Sequence, residues 1–260
     1  MFLIPEINPV ACEFFSLKIY WYGLSYFFGV IIGFFIIKKL DSKYFYLSGD
    51  WKLLDNFIFY LVLGVLLGGR LGYVLFYNLP FYLENPSEIV KVWHGGMAFH
   101  GAFFGLLITI YFFAKCNKLK YFALTDYLCF AAPPGIFLGR ISNFINRELI
   151  GRETNFAYGV KFFDDEKVRH ASQLYEAFGE GILIFLIFLF LEYKFKILKN
   201  SGIITSLFLI LYGLIRFFIE FFREPDSQIG FFFSIFTLGQ FFSLFMVILG
   251  IIILSKKINS

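Results

Sequence analysis

Apolar residues in this chain come in long runs, and the gaps between the runs collect the lysines. A helix that crosses the hydrocarbon core needs about 20 predominantly apolar residues. Runs of that order fall at 20–37, 57–77, 97–114, 122–139, 177–193, 203–222 and 231–254. The pattern predicts an all-α integral membrane protein with about seven transmembrane helices. The gaps are short except at 140–176, which is too charged to lie in hydrocarbon. That segment is expected to form a small head between the fourth and fifth helices. No internal repeat or soluble domain interrupts the pattern, so residues 1–260 read as a single polytopic membrane domain.

Lysine placement predicts the orientation. Lys38, Lys39, Lys43 and Lys52 follow the first span, and Lys115, Lys118 and Lys120 the third. Lys194, Lys196 and Lys199 follow the fifth, and Lys256 and Lys257 the seventh. The positive-inside rule puts these alternate gaps in the cytoplasm. The N-terminus is then outside, the C-terminus inside, and the 140–176 segment outside. Yet that segment carries Arg140, Arg147, Arg152, Lys161, Lys167 and Arg169. A basic cluster on the wrong side for topology calls for another reason, such as an anionic ligand.

Composition agrees with lipid as the solvent. The chain is 59% hydrophobic and 16% charged, against about 45–50% and 25% for soluble domains. The formal net charge of +4 is accounted for by lysines at helix ends, which argues against a nucleic-acid partner. Cys12, Cys116 and Cys129 have neither metal-ligand nor disulfide-framework spacing. The first basic residue is Lys18, so no basic leader precedes the first apolar run and no cleaved signal peptide is expected.

Ionisable groups inside a span cost about 2.5–3.5 kcal/mol each on insertion scales and tend to mark function. Arg70, His100, Arg140, Arg216 and Glu220, with Tyr22 at the opening of the first helix, all map to the outer half of the bilayer. One shared depth predicts a single site near the outer leaflet. A transport path would scatter such groups and often show a repeat. Arg216, Glu220 and Arg223 are spaced to share one helix face. They read either as a structural ion pair or as a phosphate clamp, with two cations against one anion leaving a positive surplus. Arginine's planar fork of donors fits phosphate oxygens.

Between Gly139 and Arg152 lie Arg140, Asn143, Asn146, Arg147 and Glu148, more donors than an ordinary helix end carries. Asn143 and Asn146 share a face if the helix continues. Gly151 reads as a turn or as a close approach to a ligand. His100 follows Gly95-Gly96-Met97-Ala98-Phe99 and reads as a core group or a proton acceptor. His94, His100 and His170 lack zinc-site spacing, so no metal is expected.

These motifs together resemble the bacterial phosphatidylglycerol–prolipoprotein diacylglyceryl transferases over nearly the whole length. The matching stretches are Trp21-Tyr22-Gly23-Leu24, Gly68-Gly69-Arg70-Leu71-Gly72-Tyr73 and Gly95 to Gly101. Further matches are Gly139-Arg140 through Gly151-Arg152, His170-Ala171-Ser172-Gln173-Leu174-Tyr175-Glu176, and Tyr212 through Arg216 to Arg223-Glu224-Pro225-Asp226. Ser142 and Ala171 depart from the family's usual Gly and Pro, and neither change removes a side-chain donor or acceptor.

The resemblance implies transfer of the diacylglyceryl unit of phosphatidylglycerol to the lipobox cysteine thiol of a prolipoprotein. A thioether forms and glycerol-1-phosphate leaves. It implies the bacterial inner membrane, a site reached from the outer leaflet, and no cofactor. It assigns Arg140 and Arg216 as essential arginines and His100 as the motif histidine. Tyr22, Asn143, Glu148, Gly151 and Glu220 match other positions that the family needs or favours. On this reading Arg140 and Arg216 clamp the phosphate with Asn143 or Asn146, and Arg70 and Arg223 add to the lipid site. Glu148 and Glu220 orient arginines. His100 is the candidate base, with Tyr22 or a glutamate as alternatives. A lipid-processing enzyme with another acceptor is the rival that the arginines alone do not exclude.

Overall fold

A computed structural model describes residues 1–15, 17–225, 231–232 and 236–258. The chain packs as two compact units, Met1–Ile37 with Asp126–Ser260, and Lys38–Thr125.

The first unit opens with three short strands, β1 (Phe2–Ile4), β2 (Val10–Phe14) and β3 (Leu17–Tyr20), and β2 and β3 form an antiparallel hairpin. Helix α1 (Trp21–Tyr44) follows and runs on into the second unit. The second unit holds α2 (Trp51–Phe76), the short α3 (Leu79–Glu84), tight turns at Pro86–Val90 and Val92–His94, and α4 (Phe99–Cys116). Helix α5 (Tyr121–Ile145) returns to the first unit. Then come β4 (Val160–Phe162), α6 (Ser172–Glu176), a π-helical stretch (Ala177–Leu183), α7 (Ile184–Phe195) and α8 (Ile203–Ile219). A two-stranded ribbon of β5 (Phe231–Phe232) and β6 (Phe236–Thr237) precedes α9 (Leu238–Ile258).

Among the described residues, six helical segments are long and apolar enough to span a bilayer, with Ser172–Phe195 counted as one continuous helix. Helix α8 is the seventh apolar helix, and its 17 residues make it shorter. At 1.5 Å per residue it is about 25 Å long, close to the lower limit for crossing a core of about 30 Å. Helices suit this solvent because every backbone group inside hydrocarbon must be paired within its own segment. Large apolar side chains such as Phe28, Phe59, Phe104, Phe190, Phe245 and Ile251 remain exposed on the helices, as lipid-facing positions should.

The helices differ from the expected spans mainly at their ends, where polar turns continue beyond the apolar run. The fourth expected span, 122–139, extends to Ile145, so the head begins six residues later than the expected start at 140. The sixth ends at Ile219 rather than 222, and the seventh begins at Leu238 rather than 231, because β5 and β6 occupy part of that run. Asp226, in the last quoted motif, lies outside the described residues.

Buried carboxylates tie the polar ends together. Asp126 on α5 accepts from Gly202 N at 2.5 Å, Thr205 N at 2.7 Å and Thr205 Oγ1 at 2.6 Å, and so caps the start of α8. In the second unit Asp41 accepts from Leu47 N and Gly49 N and closes the turn before α2. Helices α2 and α4 meet backbone to backbone. A Cβ built on Gly72 would lie 2.7 Å from Gly101 Cα, and one on Gly68 would lie 2.8 Å from Gly105 Cα. Small residues at such a seam maximise van der Waals contact where lipid removes the hydrophobic drive between helices.

The segment after α5 packs on the C-terminal end of that helix. Strand β1 runs parallel to β4, and Val160, Phe162 and Ala171 form a small core with Ile4, Phe144, Ile150, Leu174 and Tyr175. The short strands here and at the N-terminus add to the all-α pattern expected from the sequence.

Candidate functional site

Arg140 and Arg216 come from different helices and meet over the same two carboxylates. Arg140 on α5 donates from Nε and Nη2 to Glu180 Oε2 at 3.2 and 3.0 Å, and its Nη1 lies 3.0 Å from Glu176 Oε2. Arg216 on α8 donates from Nη1 to Glu176 Oε1 and lies 3.6 Å from Glu180 Oε1. Its Nη2 is 2.8 Å from Glu220 Oε2. Arg223 Nη1 is 3.5 Å from Glu176 Oε1. Glu176 and Glu180 are fully buried, whereas the side chains of Arg140 and Arg216 keep 17% and 13% exposure. The arginine side chains are therefore more accessible than the two glutamates that they pair with.

This balance corrects the expected positive surplus. Three arginines face three carboxylates, Glu176, Glu180 and Glu220. Buried charge is tolerated only when paired, since each lone ion carries a desolvation cost of several kcal/mol. Pairing also leaves part of the Arg140 fork for another acceptor. Arg140 donates two of its five N–H groups, both to Glu180 Oε2.

A second correction concerns Arg223. It was expected on the same helix face as Arg216 and Glu220, yet α8 ends at Ile219 and Arg223 pairs through its backbone with Gly151. It reaches Glu176 from the chain beyond the helix. Arg152 donates from Nε to Arg223 O at 2.8 Å and fastens this crossing. Glu220 also accepts from Thr237 Oγ1 at 3.0 Å.

The Asn-Glu group lies at the end of α5. Asn146 falls one residue past the helix, but both amides still converge: Asn143 Nδ2 is 2.9 Å and Asn146 Nδ2 3.5 Å from the Glu148 carboxylate. Glu148 is thereby engaged with asparagines, whereas it was expected to orient an arginine. Gln173 Nε2 donates to Glu148 O at 2.7 Å, and Ser172 Oγ donates to Leu149 O. These bonds steady a loop in which Arg147 and Leu149 both have positive φ. At Gly151 the backbone makes a close approach, but to His170, whose carbonyl a side chain at this position would strike. That gives Gly151 a structural reason within the protein. Tyr22 sits in the first turn of α1 and accepts from Tyr26 Oη at 3.1 Å, and Ser142 Oγ donates to Trp21 O.

Arg70 and His100 belong to the second unit. Arg70, expected among the lipid-binding residues, is buried and directs all five N–H groups to backbone carbonyls. Nε donates to Ile89 O at 2.9 Å, Nη1 to Gly95 O and Gly96 O, and Nη2 to Glu88 O at 2.6 Å and Lys91 O at 3.2 Å. It is the clamp of the loop before α4. In that loop Glu88 binds Lys91 and His94, which hold its carboxyl below the usual carboxylate range. His100 is exposed in the first turn of α4, against the ring of Phe99. Among the described residues no group of His, Cys, Asp or Glu side chains is arranged to hold a metal ion.

The model of the family described as prolipoprotein diacylglyceryl transferase matches residues 9–256. The chain belongs to this family. A phosphatidylglycerol–prolipoprotein diacylglyceryl transferase of Ehrlichia ruminantium (strain Welgevonden) is 47% identical over 252 residues, covering 96% of each chain. The transferase of the same name from Rickettsia bellii (strain OSU 85-389) is 46% identical over 253 residues, 97% of this chain and 96% of its own. That of Ehrlichia canis (strain Jake) is 48% identical over 247 residues, 94% of each.

In this chain, reasoning from the sequence missed Glu180 and gave Glu176 no role. The signal was present: Glu180 is an ionisable residue inside the apolar run expected at 177–193. Glu176 lies four residues earlier, on the same helical face.

Proposed function

We propose that this multi-pass membrane protein transfers the diacylglyceryl group of phosphatidylglycerol to the lipobox cysteine of prolipoproteins. The carrying observation is the convergence of Arg140 and Arg216, from separate helices, on the buried carboxylates Glu176 and Glu180. The family membership and the named relatives support the substrate pair.

In the reaction, the cysteine sulfur forms a bond to the terminal glycerol carbon of the diacylglyceryl unit. The bond from that carbon to the phosphate oxygen breaks, its electron pair stays with the oxygen, and glycerol-1-phosphate departs. The thiol gives up its proton. Arg140 and Arg216 are the proposed clamp for the phosphate, with Asn143 and Asn146 assisting. Fixed cationic donors in a water-poor setting stabilise charge that grows on the leaving oxygen. Glu220 holds Arg216, and Tyr22 and Glu148 border the lipid site. His100 is the proposed proton acceptor, since a neutral imidazole near pH 7 suits that task.

We place the protein in the bacterial inner membrane with this site toward the outer leaflet. The support is the set of lysines at the opposite ends of the spans.

The test uses purified protein, phosphatidylglycerol vesicles and a lipobox peptide. It follows both glycerol-1-phosphate release and peptide mass. Arg140→Ala and Arg216→Ala are expected to lower thioether formation at least a thousandfold while membrane insertion persists. Robust turnover in Arg140→Ala rejects the clamp. His100→Gln with a wild-type pH–rate profile removes the base assignment.

A further inference from the structure

We infer that Glu180 is a positioning residue, which holds Arg140 and Arg216 together so that both forks face one phosphate; the inference rests on the function proposed above. Two like-charged guanidinium groups repel each other and separate unless an anion lies between them. Glu180 is such an anion, fully buried, with Oε2 at 3.0 Å from Arg140 Nη2 and Oε1 at 3.6 Å from Arg216 Nη1. Glu176 makes the same bridge from one turn earlier.

The backbone around Glu180 is shaped for the task. The residue lies in the π-helical stretch, a rare geometry that occurs mostly as single turns inside α-helices and is frequent at functional sites. It is flanked by Gly179 and Gly181, and each touches one of the arginine-bearing helices. A Cβ on Gly181 would lie 2.6 Å from Phe137 Cβ of α5, one turn before Arg140. A Cβ on Gly179 would lie 2.7 Å from Ile215 Cγ2 of α8, next to Arg216. The Gly-Glu-Gly triplet is a wedge seated between the two helices, with its carboxylate aimed at both guanidinium groups.

The test compares wild type with Glu180→Gln and Glu180→Asp in nanodiscs of varied phosphatidylglycerol content. KM for the lipid, KM for the lipobox peptide and kcat are read separately. Glu180→Asp keeps the charge, and with it the balance that insertion needs, but shortens the reach. Positioning predicts that Gln lowers kcat/KM for the lipid at least thirtyfold and Asp at least tenfold, with KM for the peptide within twofold. A role in charge balance alone predicts the reverse for Gln, a lower KM for the anionic lipid. Wild-type lipid kinetics in Glu180→Asp, or tighter lipid use in Glu180→Gln, overturns the inference. Absence of thioether from the wild-type protein would instead reject the proposed function.

Discussion

Replacing Arg70 by Lys separates a clamp from a ligand. All five N–H groups of Arg70 are engaged, by carbonyls of Glu88, Ile89, Lys91, Gly95 and Gly96. Lysine offers three donors on one nitrogen, so it can serve one side of this ring of carbonyls and not both. About three of the five bonds are lost. At a net contribution of about 1 kcal/mol each, the loop is destabilised by roughly 3 kcal/mol. Since about 1.4 kcal/mol corresponds to tenfold, local opening becomes roughly a hundredfold more frequent. The assay is amide hydrogen exchange at Lys91, His94, Gly95 and Ala98, whose N–H groups bond to Glu88 O, Lys91 O, Val92 O and Gly69 O. Those four amides should lose protection together while the centres of α2 and α4 keep theirs. Unchanged exchange with a raised KM for phosphatidylglycerol would refute the clamp and restore Arg70 as a lipid contact.

Two further outcomes follow from groups away from the arginines. Asp126→Ala strips three hydrogen bonds from the start of α8 and should cost roughly 3–5 kcal/mol. Asp126→Asn, which keeps one acceptor oxygen, should lose clearly less, and equal melting temperatures in detergent for the two variants would contradict the cap. His170 sits among the rings of Phe156, Tyr175 and Phe222, and burial holds its imidazole below its usual range. A lowered folded value means that the unfolded chain binds the proton more readily. The contribution is therefore present above about pH 6.5 and is lost as pH falls through the folded value. Proteolysis of the 146–171 head should accelerate on acidification below that point, and His170→Phe should flatten the dependence.

The helices were legible because lipid imposes one simple rule, a long apolar run, and the lysine gaps punctuate it. Their ends were less so. Ile145 ends α5 beyond Arg140 because polar residues continue a helix once it has left hydrocarbon. Phe231 and Phe232 look like the start of a span, but they pair with Phe236 and Thr237 before α9 begins. The site was half visible. Arginines inside apolar runs announce themselves, and Arg140 and Arg216 do meet. Their counter-ions were overlooked because Glu180 stands between glycines in a run otherwise read as plain hydrocarbon filler. Arg70 is the opposite case. An arginine in a span points to a lipid contact, but the carbonyls of a folded loop take up all five of its donors. Residue type marks an expensive position but does not say which partner compensates it.

The glycine seam between α2 and α4 sets a limit on how this protein can change. With 41 phenylalanines, the sequence accepts bulk at many places. Gly68, Gly72, Gly101 and Gly105 are closed to it, since even one methyl would meet opposing backbone at 3.0 Å or less. Mutational drift toward large aromatics can decorate the lipid-facing rim of this helix pair indefinitely. At these four positions a single step of that drift would have to push two main chains apart.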